Sequence, residues 1–399
     1  MGALQSALLL LIVTRVCGAE KAGILSLSFS IAYLMIMIGN YGVRNYQATD
    51  IIRRFGFHEY RLHRRVTCIL MAIASIGYVL ICGYNGEKAQ IVLLCCFLKL
   101  TESVENLYHG EYQRANRLDV AGKTATIRLS LSILAFIITL LCTRNMMLSF
   151  VMMDIASVLM LILLLFYTYP RIHIAKAKRP TDWKEIFLVC LPLFLCSFFY
   201  IYICNASKYA LDRYATEAIQ GYYGMIFMPA FSINLISNCI YGPFLVRLAG
   251  YWKDNEIEPL KRFVWFMILA VLLISIVVTG LGYLLGIQVL SIFYGTDLSS
   301  YRVPLAILLM GGGMTALVEF SNNLLTVIRE QKILMYIYGI FALAAFLFTG
   351  IIVKGHGMIG AAISYSVILM LQAVIMFLYL MKKIKKGNQS RVMPEGKIS

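Results

Sequence analysis

The chain has 399 residues, of which 60% are apolar and only 14% are charged. Soluble domains usually carry about 25% charged residues, because polar groups must cover a surface that faces water. The composition therefore excludes a soluble enzyme, a disordered chain and a coiled coil. It predicts an integral membrane protein.

Apolar runs of membrane-spanning length follow one another along the chain, separated by polar breaks. None alternates between apolar and polar residues as a transmembrane β-strand does, so each predicts a helix whose backbone satisfies itself in lipid. The first run is short of the roughly 20 residues that a span needs and lacks the basic start of a signal peptide. We expect a truncated or mis-assigned start there. The twelve predicted spans are Gly2–Cys17, Ala22–Tyr41, Val66–Gly83, Ala89–Leu107, Val120–Cys142, Met146–Tyr167, Glu185–Asn205, Thr216–Ile240, Val264–Ile287, Val303–Val327, Ile333–Val353 and Met358–Met381.

The net charge of +16 is distributed unevenly between the loops. Most Lys and Arg residues lie in the loops after the even-numbered spans and in the C-terminal tail, for example Arg53, Arg54 and Arg61. Because basic loops are retained on the cytoplasmic side, both termini are predicted to be cytoplasmic. The surplus then reflects orientation and contact with anionic membrane lipids, and no nucleic-acid partner is expected.

An internal repeat is visible when the chain is shifted by 198 residues. Arg15 then falls on Arg213 and Gly23 falls on Gly221. A shift of 217 residues aligns the E-x-x-x-N-L segment at Glu102 with that at Glu319. The repeat predicts two pseudo-symmetric six-helix lobes, 1–170 and 185–383, joined by a basic cytoplasmic linker, 171–184, and followed by a polar tail, 384–399.

Charged and amide side chains inside the spans are functional candidates, because burying them in a bilayer is costly. Lys99, Glu102 and Asn106 recur at steps of three or four and therefore share one helix face. Arg128 is predicted at nearly the depth of Glu102, so a Glu102–Arg128 pair and a local Lys99–Glu102 pair are both consistent with the sequence. Either pair could line a cavity or simply fix helix packing.

Two further carboxylates lie within spans without an obvious basic partner. Asp154 is in span 6, and Glu319 shares a small polar stripe with Asn323 in span 10. Each could carry a coupling proton, and each could instead make a hydrogen bond between helices. The sequence leaves both interpretations open.

Basic residues cluster at the equivalent outer ends of spans 1 and 7. Arg15 lies in the first position, and Lys208, Asp212 and Arg213 lie in the second. Arginine forks suit phosphate groups, so basic residues that face each other between the two lobes would hold a pyrophosphate. Snorkelling at the membrane interface is the alternative interpretation.

Motifs for nucleotide binding, serine hydrolysis or zinc hydrolysis are absent from the sequence. Histidines show no metal spacing, and no two cysteines form a CxxC pair. The sequence thus predicts a protein that is not an enzyme and needs no cofactor. Transport would be driven by an ion gradient, with H⁺ or Na⁺ as the coupling ion.

Two segments resemble the Wzx-type polysaccharide flippases of the multidrug/oligosaccharidyl-lipid/polysaccharide (MOP) superfamily. These are Arg15-Val-Cys-Gly18 with Tyr41-Gly42-Val-Arg44-Asn-Tyr46-Gln47, and Asn205-Ala-Ser-Lys208-Tyr209-Ala-Leu-Asp212 with Tyr222-Tyr-Gly-Met-Ile226-Phe227-Met228-Pro229. The resemblance implies a V-shaped, MATE-like pair of lobes in the bacterial cytoplasmic membrane. It implies that a polyprenyl-pyrophosphate-linked oligosaccharide moves to the outer leaflet by alternating access, with glycosyltransferases and a polysaccharide polymerase as partners. Under this resemblance Arg15 matches a basic residue at the end of the family's first helix. The pyrophosphate-binding candidates in the sequence are Arg15, Arg128, Lys208 and Arg213.

Two other functions compete with flipping. A MATE-type multidrug or cation antiporter would use the same fold with an acidic cavity. A membrane-embedded glycan polymerase or ligase usually carries a large outer loop, and the longest outer loop here is only about Gln288–Arg302. We therefore expect the enzyme alternative to fail.

Overall fold

The computed structural model describes residues 2–50, 54–169, 182–241, 244–254, 256–328 and 330–392. Within these ranges the long regular elements are helices, in accord with the predicted all-α class. A short π-helical stretch, Gly282–Gly286, joins two of them, and a 3₁₀ turn, Ser299–Tyr301, precedes another. The α-helices are α1 (Gly2–Asn40), α2 (Val43–Thr49), α3 (Phe57–Ile81), α4 (Gly86–Arg114), α5 (Leu118–Thr143), α6 (Met146–Thr168), α7 (Glu185–Tyr214), α8 (Glu217–Tyr241), α9 (Leu245–Lys253), α10 (Ile257–Leu281), α11 (Ile287–Tyr294), α12 (Arg302–Val327) and α13 (Gln331–Val392).

Two of the predicted polar breaks are single-residue interruptions of a long helix. In α1 the interruption is Gly18, with φ 87° and ψ 179°, and in α13 it is Gly357, with φ 56° and ψ −133°. Only glycine adopts such dihedral angles without steric cost. Spans 1 and 2, and likewise spans 11 and 12, are therefore joined by a glycine rather than by a loop.

Eight helices within the described ranges are long and apolar enough to cross a membrane. Because α1 and α13 each contain two predicted spans, these eight helices account for ten of the twelve. The remaining two predicted spans lie in α4 and α8. In α4 the apolar character is diluted by the charges of Lys99, Glu102 and Glu105. The chain is a multi-pass membrane protein with roughly twelve spans.

Contacts divide the chain into two compact units, Met1–Gly224 and Met225–Ser399. The first unit is built around α1, in which 83% of the residues in the most apolar stretch are buried. The second unit is built around α12, in which the corresponding share is 67%. The predicted division into six-helix lobes stays a prediction. Most of the predicted linker, residues 171–181, and the end of the tail, residues 393–399, lie outside the described residues.

Three consecutive glycines allow close packing in the second unit. Gly311, Gly312 and Gly313 lie in the buried face of α12. A side chain on Gly312 would overlap the backbone carbonyl of Ala230 in α8, and one on Gly313 would overlap Ser275 in α10. The triplet thus brings α12 into contact with the backbone of α8 and with a side chain of α10, as small residues do in membrane helix packing.

Helix α7 begins in an apolar cluster of the first unit. Ile186 and Cys190 pack there against α2, α3 and α4, and the other buried members are Val43, Phe55, Phe57, Tyr60 and Leu107. An ion pair between Arg54 Nη2 and Glu185 Oε2, 2.6 Å apart, lies at its edge. The cluster fixes the first turns of α7 against the helices that precede it.

Candidate functional site

A network of charged side chains lies between α4, α5 and α6 in the first unit. Lys99 is completely buried, and its Nζ atom is 2.6 Å from Glu102 Oε2. The same ammonium group lies 4.4 Å from the centre of the Tyr33 ring on α1. Of the two pairings that the sequence allowed, the local Lys99–Glu102 pair is the one that forms.

Arg128 has a different partner from the predicted one. Its Nε and Nη2 atoms lie 2.9 and 2.8 Å from Glu105 Oε2, and its Nη1 atom donates to Ser157 Oγ on α6 at 2.8 Å. Glu105 follows Glu102 by three residues on the same helix face, so it lies nearly one turn further along α4. The predicted Glu102–Arg128 pair is therefore wrong, because Glu105 takes this position and Glu102 is held by Lys99.

Asp154 is the buried carboxylate of α6. It is only 4% exposed, and neither of its carboxylate oxygens has a hydrogen-bond partner among the described residues. Ser157, three residues after Asp154 on α6, accepts a hydrogen bond from Arg128, so Asp154 lies beside the α4 network. Unlike Glu102 and Glu105, it forms no ion pair within the part of the chain that the structure describes.

A cavity of about 160 Å³ adjoins this network. Its lining includes Asn106, whose buried Oδ1 atom has no hydrogen-bond partner among the described residues. His109 lies in the same wall, with Nε2 3.2 Å from Thr124 Oγ1. The complete lining is Arg44, Glu102, Glu105, Asn106, His109, Ala125, Arg128 and Leu129.

The ends of α4 and α7 that are predicted to lie on the outer side of the membrane meet in a separate cluster, the outer cluster. Asp212 accepts hydrogen bonds from the Tyr84 hydroxyl and from Lys88 Nζ, the latter at 2.6 Å. Lys88 also lies 3.6 Å from Glu217 Oε1 at the start of α8. Asp212 is therefore engaged in a structural contact between helix ends.

The basic candidates of this outer region are dispersed. Arg15 and Arg213 are exposed, whereas Lys208 is buried within α7 at 6% exposure. The backbone carbonyl of Lys208 accepts a hydrogen bond from Gln220 Nε2 at 3.2 Å. The structure places Lys208 and Arg213 near the outer cluster and Arg15 before the Gly18 interruption.

Helices α1 and α8 cross at two glycines that the repeat aligns. A side chain on Gly23 would overlap the carbonyl oxygen of Glu217, and one on Gly221 would overlap that of Ala19. A shift of 198 residues relates Ala19 to Glu217 as well as Gly23 to Gly221. The contact is thus reciprocal, as at a two-fold axis, where the same patch meets itself.

The remaining candidates lie in the second unit. Glu319 and Asn323 are on α12 and are partly buried. The structure thus unites Lys99, Glu102, Asn106, Asp154 and Arg128 around α4, and it leaves the outer-end residues in another part of the first unit.

Sequence reasoning missed Arg44 as a member of the α4 site, and it counted Glu105 only as one of the charges inside the spans, without assigning it a partner. Arg44 lies within the segment that resembles the flippases, but no role was assigned to it. Glu105 was visible as part of the E-x-x-x-N-L region, but the rotation of α4 that chooses between Glu102 and Glu105 needs the three-dimensional packing.

Comparisons with known proteins agree with this architecture. The chain is 22% identical over 394 residues to the capsular polysaccharide biosynthesis protein CapF of Staphylococcus aureus, with 96% of each chain covered. No family model matches the chain. The predicted resemblance to MOP-superfamily polysaccharide proteins is confirmed over the full length.

Solved structures of MOP-superfamily transporters share the fold. A multidrug resistance MATE transporter in its inward-facing conformation aligns with a TM-score of 0.69, 16% identity and 96% coverage of both chains. A multidrug resistance MATE transporter in an outward-facing conformation aligns with a TM-score of 0.64 and 14% identity, covering 98% of this chain and 94% of the other. A MOP-superfamily transporter from Pyrococcus furiosus aligns with a TM-score of 0.61 and 13% identity, with 96% of each chain covered.

Proposed function

We propose that this chain, whose fold is that of MOP-superfamily transporters, flips polyprenyl-pyrophosphate-linked oligosaccharides across the bacterial cytoplasmic membrane. The observation that carries the proposal is its full-length similarity to a capsular polysaccharide biosynthesis protein on a transporter fold. A biosynthesis protein with a transporter fold fits the step that carries a precursor across the membrane. No enzymatic step is assigned to the chain.

The buried polar groups of the first unit support this function. A glycan head group cannot cross about 30 Å of hydrocarbon without polar surroundings. The α4 network and the cavity beside it supply charged and amide groups within the bundle. Most of these charges form ion pairs with each other. The network therefore provides polar atoms inside the bundle and leaves few buried charges without a counter-charge.

The orientation follows from the charge distribution. Both termini and the basic loops lie in the cytoplasm under this proposal. The lipid-linked glycan enters from the inner leaflet after glycosyltransferases have assembled it, and a polymerase uses it on the outer side. Alternating access then exposes the polar site to each side in turn.

Asp154 is the best-placed group to couple transport to a proton gradient. An ionised carboxylate without a partner is costly in the membrane interior, which favours the proton-bound form until a conformational change exposes the group. Asp154 meets this description, since its oxygens lack hydrogen-bond partners among the described residues. Glu319 stays a second candidate.

Reconstitution into liposomes tests the function directly. The purified chain is inserted into vesicles with a fluorescent polyprenyl-pyrophosphate oligosaccharide on one leaflet, and its appearance on the other leaflet is followed by a membrane-impermeant quencher. We expect the rate to exceed that of protein-free vesicles and to increase with a proton gradient. A rate equal to that of protein-free vesicles contradicts the proposal.

The cation-antiporter alternative is supported by the MATE structures only at the level of the fold. The same vesicles distinguish the two functions when they are loaded with ethidium instead of the glycolipid. Gradient-driven ethidium movement without glycolipid flipping would assign the chain to the antiporters. Glycolipid flipping without ethidium movement supports the flippase.

A further inference from the structure

Arg44 is a half-buried cation at the edge of the α4 site. It lies on the short helix α2 and lines the cavity between α2, α4 and α5. Among the described residues it makes no hydrogen bond and no ion pair. Burial lowers the pKa of Arg44, and the charge of nearby Glu105 opposes this effect only in part.

The two acids of the cavity wall are already engaged. Glu102 is paired with Lys99, and Glu105 is paired with Arg128. These two pairs cancel their own charges and leave the positive charge of Arg44 facing the cavity. A buried arginine is favourable when an anion completes it, because its planar fork donates two parallel hydrogen bonds to one phosphate or carboxylate group.

The size of the cavity restricts what can bind. About 160 Å³ is several times the volume of roughly 30 Å³ that one water occupies in the liquid. It is smaller than the roughly 300–1,000 Å³ of pockets that enclose whole drug-sized ligands. The space therefore suits a small charged group and not an oligosaccharide.

We propose that this cavity binds a phosphate-bearing anion through the guanidinium group of Arg44. The proposed function supplies the expected ligand, the pyrophosphate of the lipid-linked glycan, and the inference rests on it for that identity alone. Arg44 then receives the head group where α2 adjoins the membrane-spanning helices. The glycan itself lies outside the cavity.

Isothermal titration of inorganic pyrophosphate into the detergent-purified full-length chain tests the proposal. Arg44→Gln removes the cation, and Arg65→Gln is the matched control because Arg65 is an exposed arginine on the neighbouring helix α3. We expect R44Q to bind pyrophosphate at least about tenfold more weakly, the loss of one charged hydrogen-bonding group. R65Q should bind as the wild type does. Equal affinity in R44Q and wild type overturns the proposal.

A second variant keeps the test decisive if R44Q does not fold. Arg44→Lys retains the charge and loses the bidentate fork. Its affinity for pyrophosphate should therefore lie between the affinity of the wild type and that expected of a chain with a neutral residue at position 44. An R44K chain that binds pyrophosphate as tightly as the wild type contradicts a role for the guanidinium. Monodispersity in size-exclusion chromatography confirms that each variant is folded.

The source of the phosphate is distinguished in nanodiscs. Pyrophosphate affinity is compared in phosphatidylcholine alone and in phosphatidylcholine with one third phosphatidylglycerol. A loss of affinity with phosphatidylglycerol in the wild type assigns the site to ordinary lipid head groups, and unchanged affinity assigns it to pyrophosphate. Because binding is measured without transport, the two proposals fail separately. Pyrophosphate can bind at Arg44 in a chain that does not flip glycolipid, and a chain that flips glycolipid can lack this binding site.

Discussion

The residue spacing of α4 decides which charges cancel. Lys99, Glu102, Glu105 and His109 follow at intervals of three, three and four residues, so all four lie on one face of the helix. Lys99 captures the nearer acid within the helix, and the second acid is then available to Arg128 of α5. The two acids and the two cations therefore form two ion pairs, and none of these four charges is left without a partner.

Removing one partner of the Arg128–Glu105 pair should destabilise the fold strongly. Glu105→Gln leaves the buried guanidinium without its counter-charge, and breaking a buried pair in this way costs about 3–5 kcal/mol. We expect the unfolding temperature of the detergent-purified chain to fall clearly, measured by intrinsic fluorescence. The double variant Glu105→Met with Arg128→Met removes both charges and should recover much of the loss.

The exposed Arg117–Asp119 pair provides the control for this experiment. Its atoms approach to 3.0 Å, but both side chains are about half exposed. Exposed pairs contribute little because water and salt screen them. Asp119→Asn should therefore leave the unfolding temperature unchanged, and a fall as large as that of Glu105→Gln would refute the burial argument.

A pH-dependent contact lies between the ends of α12 and α13. Glu330 is 2.5 Å from Lys383 Nζ and accepts a hydrogen bond from the Tyr379 hydroxyl at 3.0 Å. The Lys383 ammonium and then the Tyr379 hydroxyl hold the pKa of Glu330 below its ordinary value of 4.5. The ionised form is thus the stabilising one.

Stability from Glu330 should be present above pH 4.5 and lost as the pH falls through the lowered pKa. Wild type should unfold at a higher temperature than Glu330→Gln at pH 7. The difference should shrink below pH 4.5 and vanish once the carboxyl is protonated. A difference that is constant from pH 7 to pH 3 would show that the ion pair does not contribute.

At the scale of helices, the sequence predicts well which segments are helical and predicts poorly whether consecutive segments belong to one continuous helix. The twelve apolar runs all lie in helices, since length and apolarity in lipid leave the backbone no other choice. The interruptions at Gly18 and Gly357 could not be separated from ordinary loops, because a glycine between two apolar runs is compatible with a loop or with a single left-handed residue. Packing of the flanking turns decides between them.

The crossing of α1 and α8 predicts a sharp response to one methyl group. Gly23→Ala forces a side chain onto the carbonyl oxygen of Glu217, and overpacking of this kind costs about 1–3 kcal/mol. Gly77→Ala in α3 is the matched control, because a side chain there meets open space. It should leave stability unchanged or raise it by about 0.5–1 kcal/mol through better helix propensity.

Equilibrium or thermal unfolding in detergent measures both alanine variants side by side. If Gly23→Ala proves as stable as Gly77→Ala, the two helices are not in backbone contact at this point. The comparison isolates packing from helix propensity, since both substitutions add the same methyl group within a helix.

For the whole molecule, the sequence predicted most of the residues of the candidate site, but only some of the ion pairs between them. Lys99, Glu102, Asn106, Arg128 and Asp154 were identified because charge inside an apolar span is conspicuous. The choice of Glu105 by Arg128 and the exposure of Arg44 to a cavity depend on helix rotation and on contacts between distant segments. Hydropathy and periodicity carry no information about either.

Coupling of transport to the proton gradient is a property of the whole molecule that Asp154 tests. Asp154→Asn keeps the shape of the side chain and cannot release a proton. We expect gradient-driven flipping in liposomes to fall to the rate without a gradient, while pyrophosphate affinity is unchanged. Asp297→Asn, in the exposed turn after α11, is the control and should retain stimulation. Full stimulation in the Asp154 variant would exclude this residue as the coupling group.

The reciprocal glycine contact has an energetic consequence of its own. A small separation of α1 and α8 that accommodates an alanine at position 23 also makes room at position 221, since each side chain would meet the carbonyl one turn before the other glycine. A double-mutant cycle of Gly23→Ala and Gly221→Ala should therefore show strong subadditivity, with the second substitution costing far less than the first. Two positions separated by 198 residues then behave as a single thermodynamic site.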